Sequence, residues 1–418
     1  MKAVFLCGGI GRRMFPFTEE KYLLSFMGKS LLEHQMEKVA KLGVRDFLVI
    51  AGPSARQRVE QAVSRLDGVS VQVALQEQPR GMGHALLSAR EHLGDGPILI
   101  VSPSDVVEPS AYARILAAAP KGDAISYILG YSVKEYFPGG YLVVSPGGWV
   151  KEIAEKPGQG REPSLLVNIV VHLHTRPGEL LEAIVDEGGD GDDTYERALG
   201  RFMAAGDRMK VVPYKGFWGP IKYPWHILAV MDHLLQDIRK DIAHSAQIAS
   251  SALVEDRVVV GEGARISENA VVRGPAYIGP GVVIGNNVLI RGGVHIGAGS
   301  VVGFGTEIKH SYIGQDSNFH LGYVGDSIVG SACNLGAGTI TANLPFHRRH
   351  VRVKVGNEMV DTGTCYLGAM IGDGCQTGIH ASLMPGVRMG EGSVLSPHLC
   401  LTHDLATGAR MLTDREQL

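Results

Sequence analysis

A glycine-rich turn, Gly8-Gly9-Ile10-Gly11, is followed by Arg13 and, further on, by Lys21. Closely spaced glycines let backbone N–H groups converge on an anion, which is how phosphate cradles are built. A guanidinium adds a planar fork that matches phosphate oxygens, and an ammonium adds a movable point charge. A tight turn without a ligand would use the same glycines. Gln76 comes just past a predicted strand, Gly81-Met82-Gly83-His84-Ala85 opens a predicted helix, and Asp105 follows Ser104 at the end of another strand. A carboxylate there can hold a divalent cation or simply cap a helix. Glu155-Lys156 would serve equally well as a surface ion pair. Asn168 is harder to set aside: an amide inside an apolar strand needs hydrogen-bonding partners.

These residues hang on two kinds of repeating element. In the first half, strands predicted at Lys2–Cys7, Asp46–Ala51, 69–74 and 97–101 alternate with helical spacing at 30–42, 54–66 and 82–93. Such alternation implies a parallel sheet covered on both faces, with ligands at the carboxyl ends of its strands. The second half opens on a different period. Val254, Val260, Ile266, Val272, Ile278, Ile284, Ile290, Ile296, Val302 and Ile308 recur at every sixth position. That period fits neither an α-helix nor an alternating strand; it is the signature of a hexapeptide parallel β-helix. The period breaks after Ile308 and resumes at Ile371, Thr377, Leu383, Met389, Leu395 and Leu401. The interruption contains a basic stretch, Phe346-His347-Arg348-Arg349-His350, read as an irregular loop. Residues 224–239 read as a connecting helix. The expected domains are therefore residues 1–235 and 236–418.

With 418 residues the chain can bury a large core in two domains. A formal net charge of −3 and an aromatic content of 6% argue against a dedicated nucleic-acid binder. The five cysteines show no metal-ligand spacing, which suggests free thiols in a reducing, cytoplasmic setting. The opening MKAVFLCGG reads as a first strand rather than a leader, and no apolar run is long enough to span a bilayer, so no membrane role is expected.

CGGIGRRMFPFTEEK, QEQPRGMGHA, SDVV, IAEKP and LVN, in that order, resemble the sugar-1-phosphate nucleotidylyltransferases over roughly residues 1–235. The resemblance implies a Rossmann-like domain in which Gly8, Gly9, Gly11, Arg13 and Lys21 hold a triphosphate. Gln76 and Gly81 would read a pyrimidine base, of UTP or dTTP, and Asp105 would bind Mg²⁺. Gly140, Glu155 and Asn168 would hold the sugar and Lys156 its phosphate. The reaction is in-line attack of a sugar phosphate on the α-phosphorus with loss of pyrophosphate, driven mostly by positioning and charge neutralisation.

NFHLGYVGD followed by NLGAGTITAN resembles the acetyltransferase half of the bifunctional N-acetylglucosamine-1-phosphate uridylyltransferase/glucosamine-1-phosphate acetyltransferases, in their archaeal-type two-domain form. That implies a left-handed β-helix assembled as a homotrimer. His320 would be the general base that deprotonates the sugar amine as it attacks the acetyl-CoA thioester, a role suited to imidazole. Arg291 and Lys309 fall on the sugar-phosphate positions, and two cations on adjacent coils suit a dianion. Tyr323, Asn334 and Asn343 would orient the sugar, and backbone near Ala337 would meet the coenzyme.

The sequence departs from the family in places. Glu20, not proline, precedes Lys21, and Ser104, not glycine, precedes Asp105. Pro220 stands where a Trp-x-Asp pattern carries a second carboxylate, and no Asp or Glu occurs between Pro213 and Met231. Thr364-Cys365-Tyr366 replaces a basic patch. Two alternatives follow: a thymidylyl- or uridylyltransferase for glucose 1-phosphate with the β-helix as scaffold, or a non-catalytic sensor or assembly subunit.

Overall fold

The computed structural model describes residues 1–413 apart from 10, 12, 120, 121, 189, 190 and 207. Its contacts define two compact units. One comprises Met1–Ile10 with Ser30–Pro220, the other Gly11–Lys29 with Ile221–Leu418.

In the first unit the strands Ser70–Leu75, Asp46–Ala51, Lys2–Cys7 and Ile98–Val101 lie side by side and parallel. The parallel order stops there. Leu166–His174 runs antiparallel to Ile98–Val101 and carries the sheet on to Gly140–Val144 and Val150–Glu155. The sheet is thus mixed, where alternation alone suggested a purely parallel one. Helices form where predicted, with local reasons. Leu31–Lys41 starts on a capping box: Glu33 N–H donates to Ser30 Oγ at 3.2 Å, and Ser30 N–H donates to Glu33 Oε2 at 2.7 Å. The apolar stretch at 82–93 is two helices, Gly81–Ser88 and Arg90–Leu93, broken at Ala89.

The second unit is a parallel β-helix with three sheet faces. Ile278 pairs with Ile296 and Ile284 with Val302, so one coil consumes three hexads. The ladder residues point inward and form one continuous buried core from Val258 to Leu401. The coil that brings Tyr312 opposite Ile328 is two residues short, and the next, from Ile328 to Met370, is far longer. The long coil is less irregular than expected. It holds an antiparallel hairpin, Arg352–Val355 with Glu358–Asp361. Alternation in RVKV and the intervening Gly356-Asn357 turn were its signal in the sequence. The junction helix is His226–Leu235. The segment 11–29 packs on one face of this unit: Phe26 lies 5.3 Å from Tyr312 and 6.2 Å from His295, and Tyr312 Oη donates to Ser25 O at 2.8 Å. All five cysteines are free, and among the described residues no helix is long and apolar enough to cross a membrane.

Candidate active sites

Gly8 and Gly9 leave the carboxyl end of the first strand, in the first unit. A Cβ on Gly8 would displace the amide of Gln76. Gln76 is buried and donates to Gly81 O at 3.0 Å, so the amide links the glycine turn to the start of the next helix. Gly81 has φ +86° and sits 2.8 Å, measured from an ideal Cβ, from the backbone of Asp192; both facts demand glycine. Gly11, Arg13 and Lys21 belong to the second unit. There the Lys21 stem runs along Gly11, and Arg13 is exposed.

Asp105 begins the short strand Asp105–Val107, which pairs antiparallel with Trp218–Pro220. Pro220 is the direct partner of Asp105. The indole of Trp218 donates to Asp105 Oδ1 at 3.0 Å, and Gln35 donates to Asp105 O at 3.0 Å. Among the described residues no group of three or more His, Cys, Asp or Glu side chains gathers at metal-binding distance. A single carboxylate remains compatible with Mg²⁺, which commonly takes one or two protein carboxylates and completes its shell with phosphate oxygens and water.

Gly140 and Glu155 are register partners on adjacent strands, and Asn168 follows Val167, which pairs with Tyr141. Lys156 continues this end with φ +45°, its N–H donating to Gly139 O at 3.1 Å. The four predicted sugar-site residues therefore gather at one end of the sheet. Sequence reasoning missed what lies behind Asn168. His172 Nε2 is 2.8 Å from Asn168 Oδ1, and His172 Nδ1 is 2.6 Å from Tyr195 Oη. His174 Nε2 is 2.9 Å from the same hydroxyl, and His174 Nδ1 is 2.8 Å from Ser126 Oγ. Burial pushes both histidines down to about 3, with His172 adding a smaller push on His174, so both rings are neutral.

On the β-helix, Arg291 and Lys309 stack on successive coils beside the paired residues Ile290 and Ile308. Each is met by a carboxylate: Arg291 by Glu307 at 2.8 Å, Lys309 by Asp326 at 2.8 Å. Asp326, 3% exposed, also accepts from Asn343 Nδ2 and from His310 Nδ1, the latter at 2.8 Å. Asn343 Nδ2 lies 3.2 Å from Tyr323 Oη as well. One buried carboxylate thus draws Lys309 and Asn343 together and places Asn343 against Tyr323. His310 reaches on to Asp232 at 2.9 Å. Burial works against its charged ring, but the two carboxylates outweigh it and raise His310 to about 9. Asp326 is likewise opposed by burial, yet its bonds from His310, Lys309 and Asn343 hold it below the usual carboxylate range. The sequence carried Asp326 within the matched motif but gave no sign that it would be the hub, since burial and pairing are tertiary properties.

His320 is exposed on the turn between Asn318–Phe319 and Gly322–Gly325, and lines a small cleft with Thr306, Gly322, Gly336 and Thr339. Asn334 is exposed on the neighbouring face, paired with Asn318 and Gln376. Ala337 O accepts from His380 N–H at 2.7 Å. Arg348 and Arg349 are exposed, and His350 pairs with Asp361 at 3.1 Å.

A glycine-turn α/β unit joined to a hexapeptide β-helix defines a two-part transferase class, and comparison with known proteins agrees. Residues 2–219 match the nucleotidyl transferase family model, and residues 275–310 match that of the bacterial transferase hexapeptide (six repeats). A bifunctional protein GlmU of Methanococcus maripaludis is 35% identical over 97% of this chain and 95% of its own. A bifunctional sugar-1-phosphate nucleotidylyltransferase/acetyltransferase of Sulfurisphaera tokodaii is 30% identical over 98% of this chain and 99% of its own. A bifunctional protein GlmU of Methanocaldococcus jannaschii is 30% identical over 97% and 96%. The chain belongs to this family of bifunctional nucleotidylyltransferase/acetyltransferase enzymes.

Proposed function

We propose that the chain makes a nucleotide-activated N-acetylamino sugar in two steps. Residues 236–418 transfer an acetyl group from acetyl-CoA to an amino-sugar 1-phosphate. Residues 1–235 transfer a uridylyl group from UTP, or its dTTP counterpart, to the N-acetylated product and release pyrophosphate. The observation that carries the reading is the cluster of Arg291, Lys309, Tyr323 and Asn343 around Asp326, beside the turn that bears His320.

In the acetyl step Arg291 and Lys309 hold the sugar phosphate, which displaces part of their pairing with Glu307 and Asp326. Tyr323, Asn334 and Asn343 orient the ring, and backbone near Ala337 lies along the coenzyme. His320 takes the proton from the attacking amine, and the thiol of coenzyme A leaves. In the nucleotidyl step Gly8, Gly9, Gly11, Arg13 and Lys21 hold the triphosphate, while Gln76 and Gly81 read the base. Gly140, Glu155 and Asn168 hold the sugar, and Lys156 its phosphate. Asp105 and phosphate oxygens would hold Mg²⁺, which supplies charge neutralisation at the α-phosphate and the departing pyrophosphate. A cytoplasmic homotrimer is the expected assembly. Phe304, Leu321, Ile340 and Ile379, exposed apolar side chains of the β-helix, are what it would cover.

Two assays test this: thiol release from acetyl-CoA with glucosamine and galactosamine 1-phosphates, and pyrophosphate release from UTP and dTTP with the N-acetylated sugars. His320→Ala should lower thiol release by about a hundred-fold or more while leaving pyrophosphate release intact. Thiol release unchanged in His320→Ala would remove the assigned base, and no product from any substrate pair would end the reading.

A further inference from the structure

The buried relay behind Asn168 has more order than packing needs. Ser126, His174, Tyr195 and His172 are each at most 1% exposed, while Asn168 at its end is only partly buried. Every link is between 2.6 and 2.9 Å. The members come from three elements: the strand Ser126–Ser132, the strand Leu166–His174 and the helix Thr194–Ala204. A single chain of donors is therefore assembled only in the folded domain.

With Asn168 Oδ1 as its terminal acceptor, one arrangement of protons satisfies every link. A carbonyl oxygen cannot donate, so His172 Nε2 carries the hydrogen and donates to it. The neutral ring then has a bare Nδ1, which must accept from Tyr195 Oη. A tyrosine hydroxyl has one hydrogen, so Tyr195 in turn accepts from His174 Nε2–H. His174 Nδ1 is then bare and accepts from Ser126 Oγ–H. His172, Tyr195 and His174 each donate once and accept once between Ser126 as the first donor and Asn168 as the last acceptor, and all are neutral. Reversing the order needs both buried imidazoles to change tautomer and the Asn168 amide to turn over at the same time, so the amide's orientation is coupled to the whole relay.

We propose that His172, Tyr195, His174 and Ser126 are positioning residues that lock the Asn168 amide with its Nδ2–H₂ turned to the sugar, making this a donor-only contact that selects an N-acetylamino sugar. The proposal deepens the nucleotidyl-transfer reading and rests on it. An acetamido carbonyl accepts but cannot donate, whereas a sugar hydroxyl does either. A locked donor therefore favours the carbonyl, and a freely turning amide serves both.

The test is calorimetric binding of UDP-N-acetylglucosamine and UDP-glucose to the full chain, alongside kcat and KM for the two sugar 1-phosphates. In His172→Leu the amide is released, and the preference for the N-acetylated ligand should fall about ten-fold. The KM for UTP should not change. His172→Gln, which can still donate from its own amide, should restore most of the preference. Tyr195→Phe, a smaller change read in parallel with thermal melting, keeps the test open if His172→Leu fails to fold; it should lower the preference as well. Equal losses for both ligands, or an unchanged ratio in a folded His172→Leu or Tyr195→Phe, would overturn the lock and leave the nucleotidyl-transfer reading standing. Wild type that binds neither nucleotide sugar would instead overturn that reading, and the lock with it.

Discussion

Pro220 faces Asp105 across the antiparallel pair of Trp218–Pro220 and Asp105–Val107. A carboxylate at position 220 would therefore point to the same place as the one at 105. Proline offers no ligand, and Trp218 Nε1–H occupies Asp105 Oδ1. Pro220→Asp should raise pyrophosphate release about ten-fold at subsaturating Mg²⁺ and lower the Mg²⁺ concentration needed for half-maximal rate. Rates at a series of Mg²⁺ concentrations check it. An unchanged Mg²⁺ dependence would mean that the two positions do not share a cation.

Asp326 is the only described carboxylate bonded at once to Lys309, His310 and Asn343. Removing one partner of a buried charge cluster is costly, roughly 3–5 kcal/mol, because the remaining charges are left unmatched. Asp326→Asn should destabilise the β-helix and raise KM for the amino-sugar 1-phosphate more than it lowers kcat. Pyrophosphate release should be affected much less. Paired KM and kcat measurements with a thermal melt distinguish these effects.

Three hydrogen-bonded histidines give the protein opposite pH arms. His172 and His174 are held near 3 in the fold, below the unfolded value of 6.5, so the stability they confer is full above 6.5 and is lost as pH falls toward 3. His310 is held near 9, so its contribution is full below 6.5 and is lost as pH rises through 9. His310→Gln should flatten the decline between pH 6.5 and 9, by on the order of 2 kcal/mol after allowing for its partial exposure. Chemical denaturation at stepped pH measures it; an alkaline arm identical in wild type and variant would refute the assignment.

Two glycines of the first unit should fail differently. Gly81→Ala forces a side chain into a left-handed backbone and against Asp192, which should cost about 1–3 kcal/mol of stability. Gly8→Ala meets only the amide of Gln76, a side chain that can turn away. Its melt should shift little while KM for the nucleotide rises several-fold. Denaturation and nucleotide kinetics on both variants check the contrast.

The six-residue period from Val254 to Ile308 was enough to specify the β-helix, because each inward aliphatic residue repeats one local geometry and neighbouring coils need only stack. The alternating strands and helices of the first half were also legible, as was the Ser30–Glu33 capping box that starts a helix. Local hydrogen bonding and periodic burial decide these features, and both are written in nearby residues. The hairpin of Arg352–Val355 with Glu358–Asp361 was not anticipated, because the interruption read as an irregular basic loop. The antiparallel turn of the first sheet at Leu166–His174 was not either, since strand partners depend on contacts far apart in sequence.

The same division holds at the sites. By itself the sequence determined which residues were candidates: the glycine turn, Asp105, Asn168, Arg291, Lys309 and His320. Only tertiary structure decided what surrounds them. It set Pro220 and Trp218 against Asp105, made Asp326 the hub for Lys309 and Asn343, and drew Ser126, His174, Tyr195 and His172 into one relay behind Asn168. These are pairings between remote segments in sites partly shielded from water. Their strength and their protonation come from burial, which no spacing along the chain encodes.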